Sequence, residues 1–167
     1  MEHMQIRMAT IDDLDAITSV EAECFPTAEA ATREEFARRI KAYGTHFWLL
    51  CEEGYEEDKI IAFVDGMVTD EKNLTDEMYE KAELHDEDGA WQMIFGVSTL
   101  PAYRRRGYAE KLMRYVINDA RAQDRTGMVL TCKESLIHYY EKFGFQNEGI
   151  SESVHGGAVW HQMRLIF

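Results

Sequence analysis

Arg104, Arg105 and Arg106 stand consecutively before Gly107 in a chain whose 31 acidic residues outnumber its 18 lysines and arginines, for a formal net charge of -13. The run follows an apolar segment and opens, through Tyr108 and Ala109, into a stretch with apolar residues at helical spacing. A strand-to-helix turn offers free backbone N–H groups and the positive end of a helix dipole, the chemistry that holds phosphate oxygens. Taken alone, the turn fits equally a solvated helix start, a surface ion-pair cluster or a nucleic-acid patch. The chain has no GxxxxGK[ST] and no Rossmann glycine spacing, which disfavours nucleotide triphosphatase and dinucleotide chemistry. Cys24, Cys51 and Cys132 lack CxxC spacing, and His155 and His161 lack metal-ligand spacing. Neither a zinc site nor a disulfide framework is expected, and no metal.

The elements that must position this turn are read from periodicity. Thr10-Ile11-Asp12-Asp13 caps a helix carrying Leu14, Ile17, Val20 and Cys24 that ends near Phe25-Pro26. The capping box Thr32-Arg33-Glu34-Glu35 opens a second, with Phe36, Ile40 and Tyr43 on one face and Gly44 at its end. Both helices are expected ahead of any strand. Segments 46–52 and 59–69 read as an antiparallel hairpin around polar 53–58. The acidic stretch 70–88 carries a short helix near 75–84, and 90–98 reads as one buried strand. After the arginine turn come a helix with Leu112, Met113, Val116 and Ala120 inward, a strand over 128–132 and a helix over 135–143. That order implies parallel strands joined by a helical crossover. Segments 145–151 and 158–166 close the chain as two strands linked at Gly156-Gly157.

The 167 residues, 46% hydrophobic and poor in Gly and Pro, predict one globular domain. A strongly acidic chain does not suit a polyanion, so no nucleic-acid partner is expected and a cationic one is favoured. No stretch approaches the roughly 20 apolar residues that span a bilayer, and the scattered cysteines suit a reducing compartment. The expectation is a cytoplasmic protein, without a membrane partner, that is a monomer or a homodimer.

Arg104-x-x-Gly107-x-Ala109 matches the [RQ]-x-x-G-x-[GA] pyrophosphate motif of the GCN5-related N-acetyltransferases (GNAT), between a strand and a helix as in that family. Tyr139-Tyr140-Glu141-Lys142-Phe143-Gly144-Phe145 resembles the family's F/Y-Y-x-K/R-x-G-F segment. The resemblance covers nearly the whole chain. It is nearest the serotonin (arylalkylamine) N-acetyltransferase branch, through segments such as Glu21-Ala22-Glu23-Cys24-Phe25 and Cys132-Lys133-Glu134-Ser135-Leu136. It implies a single-domain α/β fold with a central, mostly antiparallel sheet, a parallel splayed pair and flanking helices. It also implies acetyl-CoA as acyl donor, with Phe95, Gly96 and Val97 pairing with its pantetheine arm. Residues Arg104, Arg105, Arg106, Gly107, Tyr108 and Ala109 become the pyrophosphate loop, and Ser135, Tyr140 and Phe143 further contacts.

Acetyl transfer to an amine needs a neutral amine, a polarised thioester carbonyl and a proton for the departing sulfur. The resemblance gives the last role to Tyr140, whose phenol, with a reference pKa near ~10, stays protonated beside a thiol that ionises earlier. A backbone N–H on the 95–97 strand is expected to polarise the carbonyl. The two histidines of the animal arylalkylamine enzymes lie on the strand that here reads Trp91-Gln92-Met93, and neither Trp91 nor Met93 accepts a proton. The candidates for a base are then His85, Glu87, Asp88 and Glu21, with water alone as the alternative. Phe25, Pro26, Phe36, Trp91 and Met93 are expected to wall the acceptor pocket, and the expected acceptor is a small cationic amine, arylalkylamine or polyamine. A protein N-terminal or lysine acetyltransferase and an inactive CoA-binding module are the alternatives.

Overall fold

The computed structural model describes residues 3–54 and 56–167; Tyr55, in the 53–58 link, lies outside them. Apolar alternation builds two sheets. The first runs antiparallel in the order β1 (Met4–Met8), β2 (Phe47–Glu52), β3 (Lys59–Asp65), β6 (Gly96–Thr99). The second has the order β4 (Val68–Thr69), β5 (Trp91–Ile94), β7 (Gly127–Cys132), β9 (His161–Ile166), β8 (Gln146–Ile150), with only β5 and β7 parallel.

Two segments expected to be continuous change sheets. The 59–69 arm breaks at Gly66-Met67, where β3 ends and the chain enters β4. Glycine is required there, because a Cβ on Gly66 would lie 1.7 Å from Met93 O. The 90–98 strand breaks at Phe95. Its N–H donates to Asp65 O (2.7 Å), although Asp65 pairs with Gly96, so two residues face one and the strand bends through a β-bulge. A first strand, β1, also precedes the helices, contrary to expectation: Met4, Ile6 and Met8 pack on the core while Gln5 and Arg7 reach polar partners. The 75–84 helix is a short α3 (Asp76–Glu80) and a separate 3-10 turn, Ala82–Leu84. The last two strands are joined by a loop over 151–160 rather than by a tight turn at Gly156-Gly157.

Helices α1 (Leu14–Cys24) and α2 (Arg33–Tyr43) cover one face of the first sheet, where Ile17, Val20, Phe36 and Ile40 pack on Phe47, Leu49 and Phe63. Thr32 accepts from Glu35 N at the start of α2, and the capping box is closed. On the other face α4 (Tyr108–Ala122) buries Leu112, Met113, Val116 and Ala120 against Trp48, Leu50, Val64 and Leu130. Each fully buried aliphatic or Met side chain contributes ~1.5–3 kcal/mol, enough to fix α4 and the turn that starts it. A short α5 (Ile137–Glu141) then leads into β8. Among the described residues no helix is long and apolar enough to cross a membrane.

Candidate active site

The arginine turn is built around a left-handed residue. Gly107 caps α4 at φ 81°, and a Cβ there would meet nothing within 4 Å, so the space over its backbone is open. Arg104, Arg105, Gly107, Tyr108 and Ala109 line a hollow bounded on its far side by Tyr139 and Lys142. Open approach to a glycine, two basic side chains and the positive end of a helix dipole fit a pyrophosphate. Arg106 is not on the lining; its guanidinium lies 5.4 Å from the ring centroid of Tyr103, which is. Tyr139 does more than pack: it walls this hollow, and its buried hydroxyl has no hydrogen-bond partner. Phe143 stays in the core under Arg114, and Ser135 is exposed on the turn Glu134–Leu136 rather than on either wall.

A gap also opens between strands. Strands β5 and β7 pair as far as Ile94 and Leu130, after which β6 joins the first sheet and forms its edge. Leu100 N–H donates to Ile61 O (2.9 Å), and bonds in an antiparallel ladder alternate, so Val97 and Thr99 turn their N–H and C=O groups away from β3. Thr99 O accordingly accepts from Arg104 Nε (3.1 Å) and from Cys24 Sγ (3.2 Å). Phe95 N–H is taken by Asp65 and Gly96 belongs to the bonded pairs. Thr99 lies at the arginine hollow, so of these two outward N–H groups Val97's is the one on the cleft.

The gap holds a cleft of about 100 Å³, and it brings Glu21, Val97, Cys132 and Tyr140 onto common walls with Phe25, Tyr79, Phe95, His155 and Trp160. Burial pushes the Tyr140 phenol well above the ordinary tyrosine range, so it stays protonated at neutral pH. Burial also pushes the Glu21 carboxyl up to about 6, the range of a working general base. Glu21 is 6% exposed and oriented by two donors, Ser98 Oγ to Oε1 (3.0 Å) and Ala31 N–H to Oε2 (2.9 Å). Cys132 shares the wall, but burial pushes its thiol up to about 11, which leaves it without a nucleophilic thiolate.

The other three carboxyl or imidazole candidates lie elsewhere. His85 Nδ1 accepts from Val68 N–H (3.0 Å), so in the neutral ring Nε2 carries the proton and points at Glu87 (3.2 Å). Its one lone pair is already used. Glu87 is held by His46 Nε2 (2.9 Å) and Arg125 Nη2 (2.8 Å); despite partial burial, its contacts with His46 and His85 keep its carboxyl below the usual range. His46 Nδ1 donates to Gln92 Oε1 (3.0 Å), because Gln92 Nε2 is committed to the carbonyls of Gly66, Met67 and Met93. This cluster pins the loop before β5. Asp88 is exposed and its N–H donates to Asp86 Oδ1 in a local turn.

The acceptor wall differs from expectation in four of five places. Phe25 lines the cleft, but Pro26 is exposed beside it and Phe36 is fully buried between α2 and the first sheet. Met93 packs with Tyr43, Met67 and Val129, and Trp91 lies under Arg164, whose guanidinium is 4.6 Å from its ring centroid. Besides Phe25 and Tyr140, the aromatic rings that line the cleft come from α3, the bulge and the 151–160 loop. Tyr79 stacks on His155 (4.8 Å), and Trp160 Nε1 donates to His155 O (2.8 Å). The cleft is also roofed. His155 Nε2 donates to Glu29 O (2.8 Å), Lys133 Nζ to Glu29 Oε2 (3.0 Å), and Gly156, at φ 63°, leaves only 2.5 Å between a built Cβ and Glu29 Cγ. Nothing local in the sequence distinguishes these roof residues.

Comparison with known proteins agrees with this architecture. Residues 14–145 match the Acetyltransferase (GNAT) family. The chain is similar to the serotonin N-acetyltransferase of Mesocricetus auratus, 28% identical over 150 residues that make up 87% of this chain and 69% of that protein. It is also similar to the Homo sapiens serotonin N-acetyltransferase, 28% identical over 62% of this chain and 51% of that protein, so it spans about half of the human relative. Among solved structures, the loading GNATL domain of CurA from Lyngbya majuscula superposes with a TM-score of 0.81 over 98% of both chains at 18% identity, a likeness of fold. With a match across most of its length, and with the fold and the splayed cleft in place, the chain belongs to the acetyltransferase (GNAT) family.

Proposed function

We propose that this acetyl-CoA-dependent N-acetyltransferase acts on a small primary amine, an arylalkylamine or polyamine, by direct transfer within a ternary complex. One observation carries the reading: Glu21, Val97 and Tyr140 reach the same cleft, so a base, a carbonyl-polarising N–H and an acid surround one reaction point. Glu21 takes the proton of the incoming ammonium and leaves a neutral amine to attack the thioester carbonyl. Val97 N–H stabilises the negative charge that grows on the carbonyl oxygen, the kind of contact worth about 2.7–4 kcal/mol where it has been removed. As the carbon–sulfur bond breaks, Tyr140 gives its proton to the leaving thiolate, and the second proton that the nitrogen sheds as it becomes an amide restores the phenol. The free thiols Cys24, Cys51 and Cys132 accord with a reducing, cytoplasmic setting.

The roof formed by residues 26–31 and 151–160 supports a small acceptor over a peptide, because Glu29, His155 and Lys133 tie the two loops together over the cleft. The rings of Phe25, Tyr79, Phe95 and Trp160 suit an apolar body, and Glu21 and Glu29 suit its ammonium group. Initial velocities against a panel of small amines and matched N-terminal peptides test this. Higher kcat/KM for small amines is expected, and turnover of peptides alone overturns the acceptor class. Tight acetyl-CoA binding with no turnover of either kind overturns catalysis.

A further inference from the structure

Behind the bulge lies a buried ion pair that the transfer steps leave unused. Arg39 on α2 is 4% exposed and Asp65, at the end of β3, is fully buried; Nη1 donates to Asp65 Oδ2 (3.1 Å). Burying two charges costs several kcal/mol per ion before they pair, so apolar side chains would hold α2 on β3 as well. The contacts of the pair run instead to the cleft. Arg39 Nη2 donates to Tyr79 O (3.1 Å), and the guanidinium stacks 5.3 Å from the Phe95 ring centroid. Phe95 and Tyr79 are 4.9 Å apart and both line the cleft. Asp65 supplies the carbonyl that Phe95 N–H bonds at the bulge, and its Oδ1 lies 2.8 Å from where a Cβ on Gly96 would stand. The two charges also act on Glu21 in opposite senses, Asp65 favouring its protonation and Arg39 opposing it.

Resting on the reading of Glu21 as base, we propose that the Arg39–Asp65 pair is a positioning device for acetyl transfer, which fixes the bulge and the Phe95–Tyr79 wall and balances the field at Glu21. The pair reaches Glu21 from α2 and β3. Other titratable groups facing it are Cys24 on its own helix and, on the cleft, Glu29 with Lys133, Tyr79, Tyr140, Cys132 and His155. None of these carries a charge of each sign behind the bulge.

Asp65→Asn preserves size and leaves Arg39 without its counter-charge, whereas Arg39→Met/Asp65→Asn removes both charges. In Asp65→Asn the acidic limb of kcat/KM against pH is expected to move to lower pH by on the order of one unit, and in the double variant to return toward wild type. The double variant, in which Tyr79 loses its tether, is expected to raise the amine KM severalfold while leaving the Kd for acetyl-CoA unchanged. Wild-type limbs and wild-type amine KM in both variants overturn the proposal. Should Asp65→Asn fail to fold, the double variant decides alone: an unchanged amine KM overturns it. Glu21→Gln keeps the two readings apart. If that variant retains the acidic limb, the base reading fails; if it loses the limb while Asp65→Asn leaves the limb unmoved, only the role of the pair fails.

Discussion

Replacing Glu21 by Gln should make the protein more stable and a far poorer enzyme. The carboxyl is 6% exposed, and burial holds it at about 6 against an ordinary 4.5. A raised carboxyl binds its proton more tightly in the folded state, so its contribution is fully present below the unfolded value and is lost as pH rises through the folded one. At pH 7 the ionised side chain therefore costs roughly 2 kcal/mol, from a shift of ~1.5 units at 1.36 kcal/mol each. Gln carries no charge and fits the same contacts: its oxygen accepts from Ala31 N–H while its amide faces Ser98 Oγ, which rotates to accept. Denaturant unfolding at pH 7 should show a gain of up to ~2 kcal/mol that vanishes near pH 4. Activity should move the other way, with kcat/KM falling by about 10²–10⁴ and its acidic limb lost, as for removal of a general base. A variant within about threefold of wild-type activity that keeps the limb would refute Glu21 as base.

Tyr140→Phe should lower kcat by about 10²-fold or more with acetyl-CoA affinity nearly unchanged, read by steady-state kinetics beside isothermal titration; full activity removes the acid role. Gly107→Val should weaken acetyl-CoA binding and also lower stability, since its Cβ would occupy the space a phosphate would use while φ 81° strains any residue but glycine; calorimetry and thermal melts separate the two. Gly66→Ala should unfold the seam, because its Cβ would stand 1.7 Å from Met93 O, and a soluble variant with a wild-type melting curve contradicts the close approach. Glu87, lowered by its His46 and His85 partners, contributes stability above its ordinary range that is lost as pH falls through its folded value. Glu87→Gln should therefore destabilise at neutral pH and match wild type in acid, with catalysis unaffected in the native state.

The parts legible in the sequence were those fixed by local chemistry. Capping boxes and periodicity locate α1, α2 and α4, and a glycine between a strand and an amphipathic helix locates the phosphate turn. The bulge at Phe95 was not legible, because the mostly apolar stretch from Ala90 to Ser98, with only Gln92 and Gly96 inside it to interrupt, reads alike for one strand or two. Gly66 carried the available signal, a glycine inside a strand pattern where another backbone comes close. Glu21 was legible in part: it falls four residues after Ile17 on the stripe that α1 buries, so a carboxylate there faces the interior. Trp91 and Met93 failed as acceptor residues because alternation puts them on one face of β5, while only tertiary packing decides that this face meets the core. Tyr79, His155 and Trp160 arrive from a five-residue helix and an irregular loop, whose positions follow from long-range contacts alone.

The central claim, direct transfer in the cleft shared by Glu21 and Tyr140, is tested most directly by a single turnover. Enzyme loaded with labelled acetyl-CoA is mixed with a small amine, and free CoA, N-acetyl product and intact protein mass are followed together. The account predicts that CoA and amide appear in step, with no acetyl adduct on the protein. An acetylated protein, on Cys132 or elsewhere, that forms before amine is added and decays into amide would contradict it.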